Sequence, residues 1–315
     1  MSKCSFLLLT TYDAQGGRQQ EVERLMQSLR QARQDEGLEV VHLVLGQRVA
    51  ADSDCLHPDV GQLMTISGRL SLSAARNRLL ALARSEGLLD TADVVGFPDD
   101  DAWYPDGFLS FVAQALAPDT GNAVFFCQYG SQPVSVREPA GRGLAVAAVN
   151  THDLVKNISS NTMFFRASVA RQVPGFDEDI GLGAPFNGGE DLDYALRCFV
   201  VGQQSGLGAA YTPAKMVGHR DKFDYVAPRY FPGSLRALRK SAARHPGLLA
   251  QMVRKILVGL YFVARRKLTP KEFLTGFMFG LFGIGDVEGH ADEAQLLADH
   301  GQQEIGVGFG QPVQL

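Results

Sequence analysis

The stretch DVVGFPDDDAWYP, residues 93–105, decides the fold class of this chain. Its first five residues form an apolar run of strand length, which leads directly into Pro98 and three consecutive aspartates, Asp99, Asp100 and Asp101. Adjacent carboxylates repel one another unless a cation or a solvated turn offsets their charge. Hard divalent cations prefer oxygen ligands, commonly one or two carboxylates together with substrate phosphates. The stretch is therefore either an acidic turn or a metal site at the end of a buried strand.

Strands and helices alternate on the N-terminal side of this stretch. Apolar runs of strand length occupy residues 4–11, 38–45 and 62–66. Apolar side chains at helical spacing predict helices over residues 22–32 and 73–86. This order predicts an α/β fold, an open mixed and mainly parallel sheet flanked by helices. Ligands of such sheets bind at the carboxyl ends of the strands, where the three aspartates stand.

The second half of the chain changes in character. Strands are predicted over residues 123–129 and 158–165, and between them lies a long loop with Gly, Pro and Ser, residues 130–157. The remaining predicted elements are a helix from residue 189, a strand over 206–211 and helices over 234–245, 248–266 and 270–283. We therefore predict an α/β domain over residues 1–230 and a helical C-terminal extension over residues 231–315.

A second acidic segment, GGEDLDYALR, covers residues 188–197. The apolar positions of this segment share one helical face, so Glu190, Asp191 and Asp193 fall in the first helical turn, where the helix dipole favours negative charge. One interpretation is plain helix capping, with an ion pair between Asp193 and Arg197 at i,i+4 spacing. The other makes one of the carboxylates a general base.

Two further residues gain interest only through their neighbours. His219 follows a predicted strand, and a lone histidine is more often a surface or core residue than a ligand; beside the aspartates it would be a third metal ligand. Arg76 begins a helix in the sequence SLSAARNRLL. It is either part of a solvated helix face or, if the sheet brings it near the aspartates, a partner for a phosphate or a base edge.

Taken together, four motifs resemble a glycosyltransferase of family 2 with the GT-A fold. They are TTYD (10–13), LSAARN (72–77), FPDDDAWYP (97–105) and FDEDIGLGAPFNGGEDLDYALR (176–197), in the order of the family and within residues 4–225. They look like its opening nucleotide loop, its ARN helix, its DxD segment, and its acceptor loop with the ED helix. The resemblance implies an inverting, divalent-metal-dependent hexosyltransferase. Such an enzyme moves a sugar from a nucleotide-diphosphate donor, a UDP-sugar first, to a hydroxyl of a glycan or lipid-linked acceptor in polysaccharide or cell-envelope assembly.

The resemblance also implies a role for each matching residue. Asp191 would be the general base, with Glu190 beside it. Asp101 would bind Mn²⁺ or Mg²⁺ at the donor diphosphate, and His219 would be a further metal ligand.

The same resemblance predicts the nucleotide pocket. Asp99 would face the ribose or the donor sugar, and Asp100 the nucleotide. The other residues that would line the pocket are Thr10, Tyr12, Asp13 and Arg76. The family often carries an acidic residue after the second strand to read the base, whereas this chain has Gly46-Gln47 there. Without that acidic residue, the sequence gives no direct signal for which base the nucleotide carries.

The residue types suit this chemistry. A sugar hydroxyl is a weak nucleophile, so a carboxylate must accept its proton as it attacks the anomeric carbon. The charge that develops on the leaving diphosphate must be met by a cation. One base and one metal site fit a single displacement with inversion, whereas a glycoside hydrolase needs two opposed carboxylates.

Three other functions compete with this one. A nucleotidyltransferase on a similar sheet would want a glycine-rich basic loop after the first strand, and TTYDAQGGR offers two glycines and one arginine. A phosphatase-like hydrolase normally needs DxDx[TV], but Asp101 is followed by Ala102. A non-catalytic sugar- or membrane-binding protein on a degenerate transferase scaffold is the third, and the intact DxD and ED pairs argue against it.

Charge is distributed unevenly along the 315 residues, whose formal net charge is −4. Residues 236–271 hold ten basic side chains and neither Asp nor Glu, so the rest of the chain carries −14. The longest uncharged run in this region, residues 273–285, is shorter than the roughly 20 residues that span a bilayer. Either these helices pack on the catalytic domain, or residues 236–282 bind an anionic membrane surface as basic amphipathic helices. The lack of acids favours the second interpretation.

Composition excludes several other classes of protein. With 45% hydrophobic residues the chain is too apolar for disorder, and it lacks the aromatic-interleaved basic motif of nucleic-acid binders. Four cysteines, Cys4, Cys55, Cys127 and Cys198, stand far apart, which fits a reducing compartment rather than a disulfide framework or zinc knuckle. No basic segment precedes the N-terminal apolar run, as a secretory signal would require. We expect a cytoplasmic protein, peripherally associated with the inner face of the membrane.

Overall fold

A computed structural model describes residues 3–49, 61–137, 146–220 and 228–284. Cys55 and residues 285–315 of the predicted extension lie outside these ranges. The elements up to residue 115 are β1 (Ser5–Asp13), α1 (Gln19–Asp35), β2 (Glu39–Gln47), β3 (Gly61–Ile66), α2 (Leu72–Ser85), α3 (Leu88–Thr91), β4 (Val94–Gly96) and α4 (Phe108–Ala115). They are followed by β5 (Asn122–Gly130), β6 (Ala147–Ala148), α5 (Thr151–Asn157), β7 (Met163–Arg166), α6 (Ala167–Ala170), α7 (Glu190–Gln204), β8 (Gly208–Gly218), α8 (Phe231–Ala242), α9 (Pro246–Ala264) and α10 (Pro270–Phe282).

The strands in the described residues form one mixed sheet in the order β3-β2-β1-β4-β7-β5-β8-β6. Strands β1 to β4 run parallel to one another, and β5 runs parallel to β8. Strand β7 is antiparallel to both of its neighbours, and β6 is an antiparallel edge strand. The predicted open, mainly parallel sheet is confirmed. Because β1 and β4 are parallel neighbours, the residues after both strands meet at one edge of the sheet.

Each face of the sheet has its own apolar core. In β1, Leu7 and Leu9 belong to one core, whereas Phe6 and Leu8 belong to the other, as the two-residue period of a strand requires. Helix α1 covers the second face with the apolar stripe that the sequence predicted, namely Val22, Leu25, Met26, Leu29 and Ala32. Helices α2 and α7 cover the first face.

Three local features differ from the sequence prediction. Helix α5 lies inside the predicted loop 130–157, and its signal is Asn150, whose side chain accepts a hydrogen bond from the amide of Asp153 at 2.9 Å. Helix α4 was not predicted; it begins after Gly107, whose φ of +81° is accessible to glycine at little cost. The predicted strand 158–165 opens instead as a 3₁₀ turn, Ser160–Thr162, because those polar residues are drawn into the site described below.

The three C-terminal helices divide into a buried and an exposed part. Helix α8 packs against α7, and Ala237 and Leu238 lie in the same core as the sheet residues. For α8, this is the packing on the catalytic domain that one of the two interpretations of the basic segment predicts. Helices α9 and α10 instead expose large apolar side chains: Leu249, Val253, Leu257, Leu260, Tyr261, Leu274 and Phe282. The division at residue 230 stays a prediction.

Helix α9 is long and apolar, although two charged residues interrupt its apolar run. It is 19 residues long with a mean hydropathy of 1.5, and 11% of it is buried, so by length and composition it could cross a membrane. Arg254 and Lys255 interrupt its apolar run, which is why the sequence analysis did not count it.

Candidate functional site

The two acidic motifs and His219 meet at the carboxyl edge of the sheet. Asp99 to Asp101 follow β4, and His219 directly follows β8. Glu190 and Asp191 form the first turn of α7. Residues from three separate parts of the sequence are therefore brought together by the topology of the sheet, as the sequence predicted.

Arg76 joins the two acidic motifs. Its side chain is 2% exposed and donates one hydrogen bond to Asp191 Oδ1 at 2.6 Å and another to Asp99 Oδ1 at 3.0 Å. The guanidinium also lies over the ring of Phe176, 5.2 Å from its centroid. The sequence leaves two alternatives for Arg76, a solvated helix face or a partner for a phosphate or base edge. In the structure it is buried between carboxylates, and its role as a nucleotide ligand stays a prediction.

The 3₁₀ turn supplies further contacts to the same carboxylates. The amide of Ser160 donates to Asp191 Oδ2 at 3.0 Å, and the Ser160 hydroxyl donates to Asp99 Oδ1 at 3.0 Å. Asn161 accepts a hydrogen bond from the amide of Asp99 at 3.2 Å. Sequence reasoning missed both residues, since no periodicity marks a polar turn before a strand; the SSNT sequence after residue 158 is the one available signal.

Glu190 differs from its neighbour Asp191. It is buried, and its Oε2 atom has no hydrogen-bond partner within the described part of the chain. Burial, and then the negative charge of Asp191, raise the pKa of Glu190 to about 8, in spite of the nearby Arg76. The raised pKa favours the protonated form of Glu190, while Asp191 has Arg76 to balance its charge.

Asp99, Asp101 and His219 form a group that could hold a metal ion. Each offers one ligand atom, and these atoms lie within 4.8 Å of one another. His219 Nδ1 contacts the backbone oxygen of Arg220 at 2.8 Å, and its Nε2 lies 2.9 Å from Asp101 Oδ1. A backbone carbonyl on one ring nitrogen is the usual arrangement that orients the other nitrogen toward a metal. Two carboxylates and an imidazole suit Mn²⁺ and accommodate Mg²⁺ less well.

The charges around this group are strongly coupled. Burial alone would raise the pKa of Asp101, but the hydrogen bond with His219 and the charge of Arg18 lower it to about 2. The contact with Asp101 raises the pKa of His219 above its ordinary value, against the effect of burial. Burial raises the pKa of Asp100 to about 6.

Arg18 is a site residue that the sequence analysis did not single out. Its guanidinium lies 2.7 Å from Asp100 Oδ1 and 3.5 Å from Asp101 Oδ2. It stands in the loop between β1 and α1, after Gly16 and Gly17, and the only signal was a basic residue following the strand whose end faces the aspartates.

The other predicted nucleotide residues divide into two groups. Asp13 lies at the end of β1 and accepts hydrogen bonds from Arg48 at 2.8 and 2.6 Å. Thr10 and Tyr12 are buried under the edge, and the Thr10 hydroxyl lies 2.8 Å from Nε2 of His42. Asp13 stands at the carboxyl end of β1, paired with Arg48, whereas Thr10 and Tyr12 are buried; the nucleotide role of all three stays a prediction.

The ion pair of the first interpretation is present in α7, although the helix is capped by Gly189 without any side-chain hydrogen bond. Asp193 accepts from Arg197 at 2.9 and 2.6 Å, which is the predicted i,i+4 pair. It also lies 2.8 Å from the ammonium of Lys240 in α8.

Comparisons with known proteins relate the chain to glycosyltransferases. No protein-family model matches the chain. Over 185 residues it is 29% identical to the pre-mycofactocin glycosyltransferase of Mycobacterium tuberculosis, in two strains. That match covers 55% of this chain and 37% of the relative, so the chain corresponds to little more than a third of the relative's length.

Two solved structures share the fold. S. aureus TarS, residues 1–349, superposes with a TM-score of 0.57 and 13% identity over 89% of this chain and 81% of that chain; TarS was also solved with UDP-GlcNAc. The mannosyltransferase PcManGT of Pyrobaculum calidifontis, solved with GDP-Man and Mn²⁺, has a TM-score of 0.51 and 17% identity over 96% of this chain and 88% of that one. The chain thus has the mixed-sheet fold of these structures and is related in sequence to a glycosyltransferase.

Proposed function

We propose that the chain is an inverting glycosyltransferase of the family 2 type that transfers a sugar from a nucleotide-diphosphate donor to a hydroxyl. The observation that carries this proposal is the buried Arg76, which holds a carboxylate of the DxD motif and a carboxylate of the ED motif in one hydrogen-bonded unit. A metal-ligand group and a base are thereby fixed relative to each other before any substrate binds.

Asp191 is the proposed general base. Its two oxygens are oriented by Arg76 and by the amide of Ser160, and it accepts the proton of the acceptor hydroxyl as that oxygen attacks the anomeric carbon. Burial and the charge of Asp191 raise the pKa of Glu190, which disfavours a second negative charge beside the base. Asp99, Asp101 and His219 would hold the divalent ion, which when bound offsets the charge of the leaving diphosphate.

The donor is proposed to be a UDP-sugar. TarS was solved with UDP-GlcNAc, which supports UDP, whereas GDP-Man in PcManGT keeps a guanine nucleotide as the alternative. Gln47, which stands where an acidic reader of the base is common, accepts a hydrogen bond from the amide of Leu70 at 2.6 Å. We propose a glycan or lipid-linked acceptor, in polysaccharide or cell-envelope assembly.

A donor screen tests the metal and nucleotide assignments. UDP-, GDP- and dTDP-sugars are titrated by calorimetry with and without Mn²⁺, on wild type, on Asp101→Ala, and on Asp119→Ala as a control with an exposed carboxylate away from the site. We expect Mn²⁺-dependent binding of a UDP-sugar that Asp101→Ala loses and Asp119→Ala keeps. Equal binding to wild type and Asp101→Ala would refute the metal site.

The base has its own test. Asp191→Asn should bind the donor that the screen identifies with wild-type affinity and lose transfer by two to four orders of magnitude, because general-base catalysis is typically worth about 10²–10⁴-fold. Retained transfer would remove Asp191 as the base and leave Glu190 as the next candidate.

We further propose that the exposed face of α9 binds an anionic membrane surface, which would place the protein at the cytoplasmic side of a membrane. Leu249, Val253, Leu257, Leu260 and Tyr261 stand at helical spacing, and each is 48–60% exposed. Basic side chains border this apolar face: Arg254, Arg265, Arg266, Lys267 and Lys271, all exposed. An apolar stripe bordered by basic residues is typical of helices that lie in the plane of a bilayer.

Vesicle co-sedimentation tests this surface. Two kinds of vesicle are compared: one contains anionic and neutral phosphatidyl lipids in equal parts, and the other contains neutral lipids only. Wild type should bind the anionic vesicles more strongly. Leu257→Ser/Tyr261→Ser should reduce binding, whereas Leu63→Ser, which removes an exposed leucine from β3, should not. If the double variant binds as wild type does, the α9 face is not the membrane surface.

A further inference from the structure

The loop of residues 177–189, which we call the acceptor loop, rests on the C-terminal helices. Ile180 and Phe186 of this loop form a small buried cluster with Phe279 of α10. The rings of Phe186 and Phe279 are stacked, with 12° between their planes. Because this cluster is separate from the two cores of the sheet, the apolar packing of the loop depends on α10.

The backbone of the loop also approaches α8 closely. Gly189 has a φ of +90° and is the N-cap of α7. A Cβ atom at Gly189 would overlap the backbone of Gly233, so residue 189 must be small for α8 to lie this close. The start of α7 and the start of α8 therefore meet backbone to backbone at Gly189 and Gly233.

One ammonium group connects these parts electrostatically. Lys240 of α8 lies 2.9 Å from Asp177 Oδ2, at the start of the acceptor loop, and 2.8 Å from Asp193 Oδ1, in the first turn of α7. The Asp193 side chain is fully buried and the Lys240 side chain is 29% exposed, so this pair is shielded from solvent. Asp193 lies two residues after Asp191 on the same helical turn.

We propose that Lys240 is a positioning residue that holds the acceptor loop in register with the first turn of α7. The C-terminal helices are then part of the acceptor site rather than an appendage, and they fix the loop relative to Asp191. This inference rests on the proposed function for the meaning of the loop, but the position of the loop can be measured without any substrate.

Amide hydrogen exchange of peptides covering residues 177–189 tests the proposal on the full chain. Lys240→Met should raise exchange in these peptides at least about tenfold, while peptides from β1 and β4 keep their wild-type rates. Lys240→Arg should restore protection, since a guanidinium can reach both carboxylates. Arg239→Met, an exposed neighbour on the same helix, is the control and should change nothing. Unchanged exchange in Lys240→Met would overturn the proposal.

A second variant separates positioning from general stability. Asp177→Asn removes the loop half of the bridge and leaves the buried Asp193 paired with Lys240 and Arg197. It should reproduce the faster loop exchange with an unchanged midpoint of urea unfolding. If exchange rises equally in all peptides, the bridge is merely structural and the proposal fails.

A kinetic readout completes the test. With UDP-GlcNAc and Mn²⁺ as the probe, Lys240→Met should lower kcat for donor hydrolysis about tenfold and leave the donor KM unchanged, because small misplacements of catalytic groups are costly. A raised KM with unchanged kcat would overturn the positioning role. If the wild type neither binds nor hydrolyses any nucleotide sugar, the proposed function fails, while the exchange result still decides the role of Lys240.

Discussion

Replacing Arg76 by methionine should destabilise the protein, because the carboxylates of its two acidic motifs would then repel each other without a cation between them. The substitution leaves Asp99 and Asp191 without the guanidinium that now lies 3.0 and 2.6 Å from them. Removing one partner of a buried ion pair costs about 3–5 kcal/mol. The two carboxylates keep 30% and 23% side-chain exposure, so water relieves part of the penalty. We expect a loss near the lower end, about 3 kcal/mol of unfolding free energy.

Urea unfolding followed by circular dichroism measures this loss, with Arg78→Met as the control because Arg78 is exposed on the same helix. The triple variant Arg76→Met/Asp99→Asn/Asp191→Asn should regain at least half of the lost stability, since neutral amides no longer repel one another. A loss below about 1 kcal/mol, or one equal to that of Arg78→Met, would refute the account of Arg76 as the link between the motifs. So would a triple variant no more stable than Arg76→Met.

Three further predictions concern pH and packing. Burial lowers the pKa of His42 from 6.5 to about 4, so the unfolded chain binds the extra proton and stability should fall by about 3 kcal/mol as pH drops from 6.5 to 4. Urea midpoints across that range should show a slope that His42→Gln reduces. The pKa of Glu190 is raised from 4.5 to about 8, so the folded state binds the extra proton and stability should fall as pH rises through that window. The urea midpoint should depend less on pH in Glu190→Gln than in wild type. An equal slope in the two proteins would contradict the raised pKa of Glu190. Gly218→Ala should cost about 1–3 kcal/mol in urea unfolding because its Cβ would overlap the ring of Trp103, whereas Gly208→Ala, which has space, should cost less than 1 kcal/mol.

The sequence predicted the parts of the fold that follow from periodicity. The stripe of α1, the buried strands β1 and β2 and the helix after Gly189 were predictable because burial on one face leaves a regular pattern of apolar residues. Helix α5 was missed because its first turn is polar and its apolar contribution to the core is small, namely the buried Leu154 and the partly buried Val155. Local pattern does not reveal an element that is short and mostly solvated.

The site was predictable in its carboxylates but not in its cations. Runs such as DDD and ED are visible in the sequence itself, and their order along the chain matches that of the family that the chain resembles. The local sequence gives little signal for the role of Arg18 and none for that of Lys240, because each reaches a carboxylate that is distant in sequence. For Arg76 the sequence left open a solvated helix face or a phosphate or base-edge contact, since it does not show that the helix of Arg76 faces both acidic motifs at once.

The basic segment, for which the sequence left core packing and membrane binding open, lies in two different environments in the structure. Arg236 and Lys240 point inward and lie 3.9 and 2.9 Å from Asp177, so their charge is used within the fold. Arg265 and Lys267 lie at the exposed end of α9 and face solvent. Deleting the whole segment would therefore remove the support of the acceptor loop together with any membrane contact, and loss of activity would not distinguish the two. Single substitutions on α8 and on the exposed face of α9 do distinguish them, because the two groups of residues contact different partners.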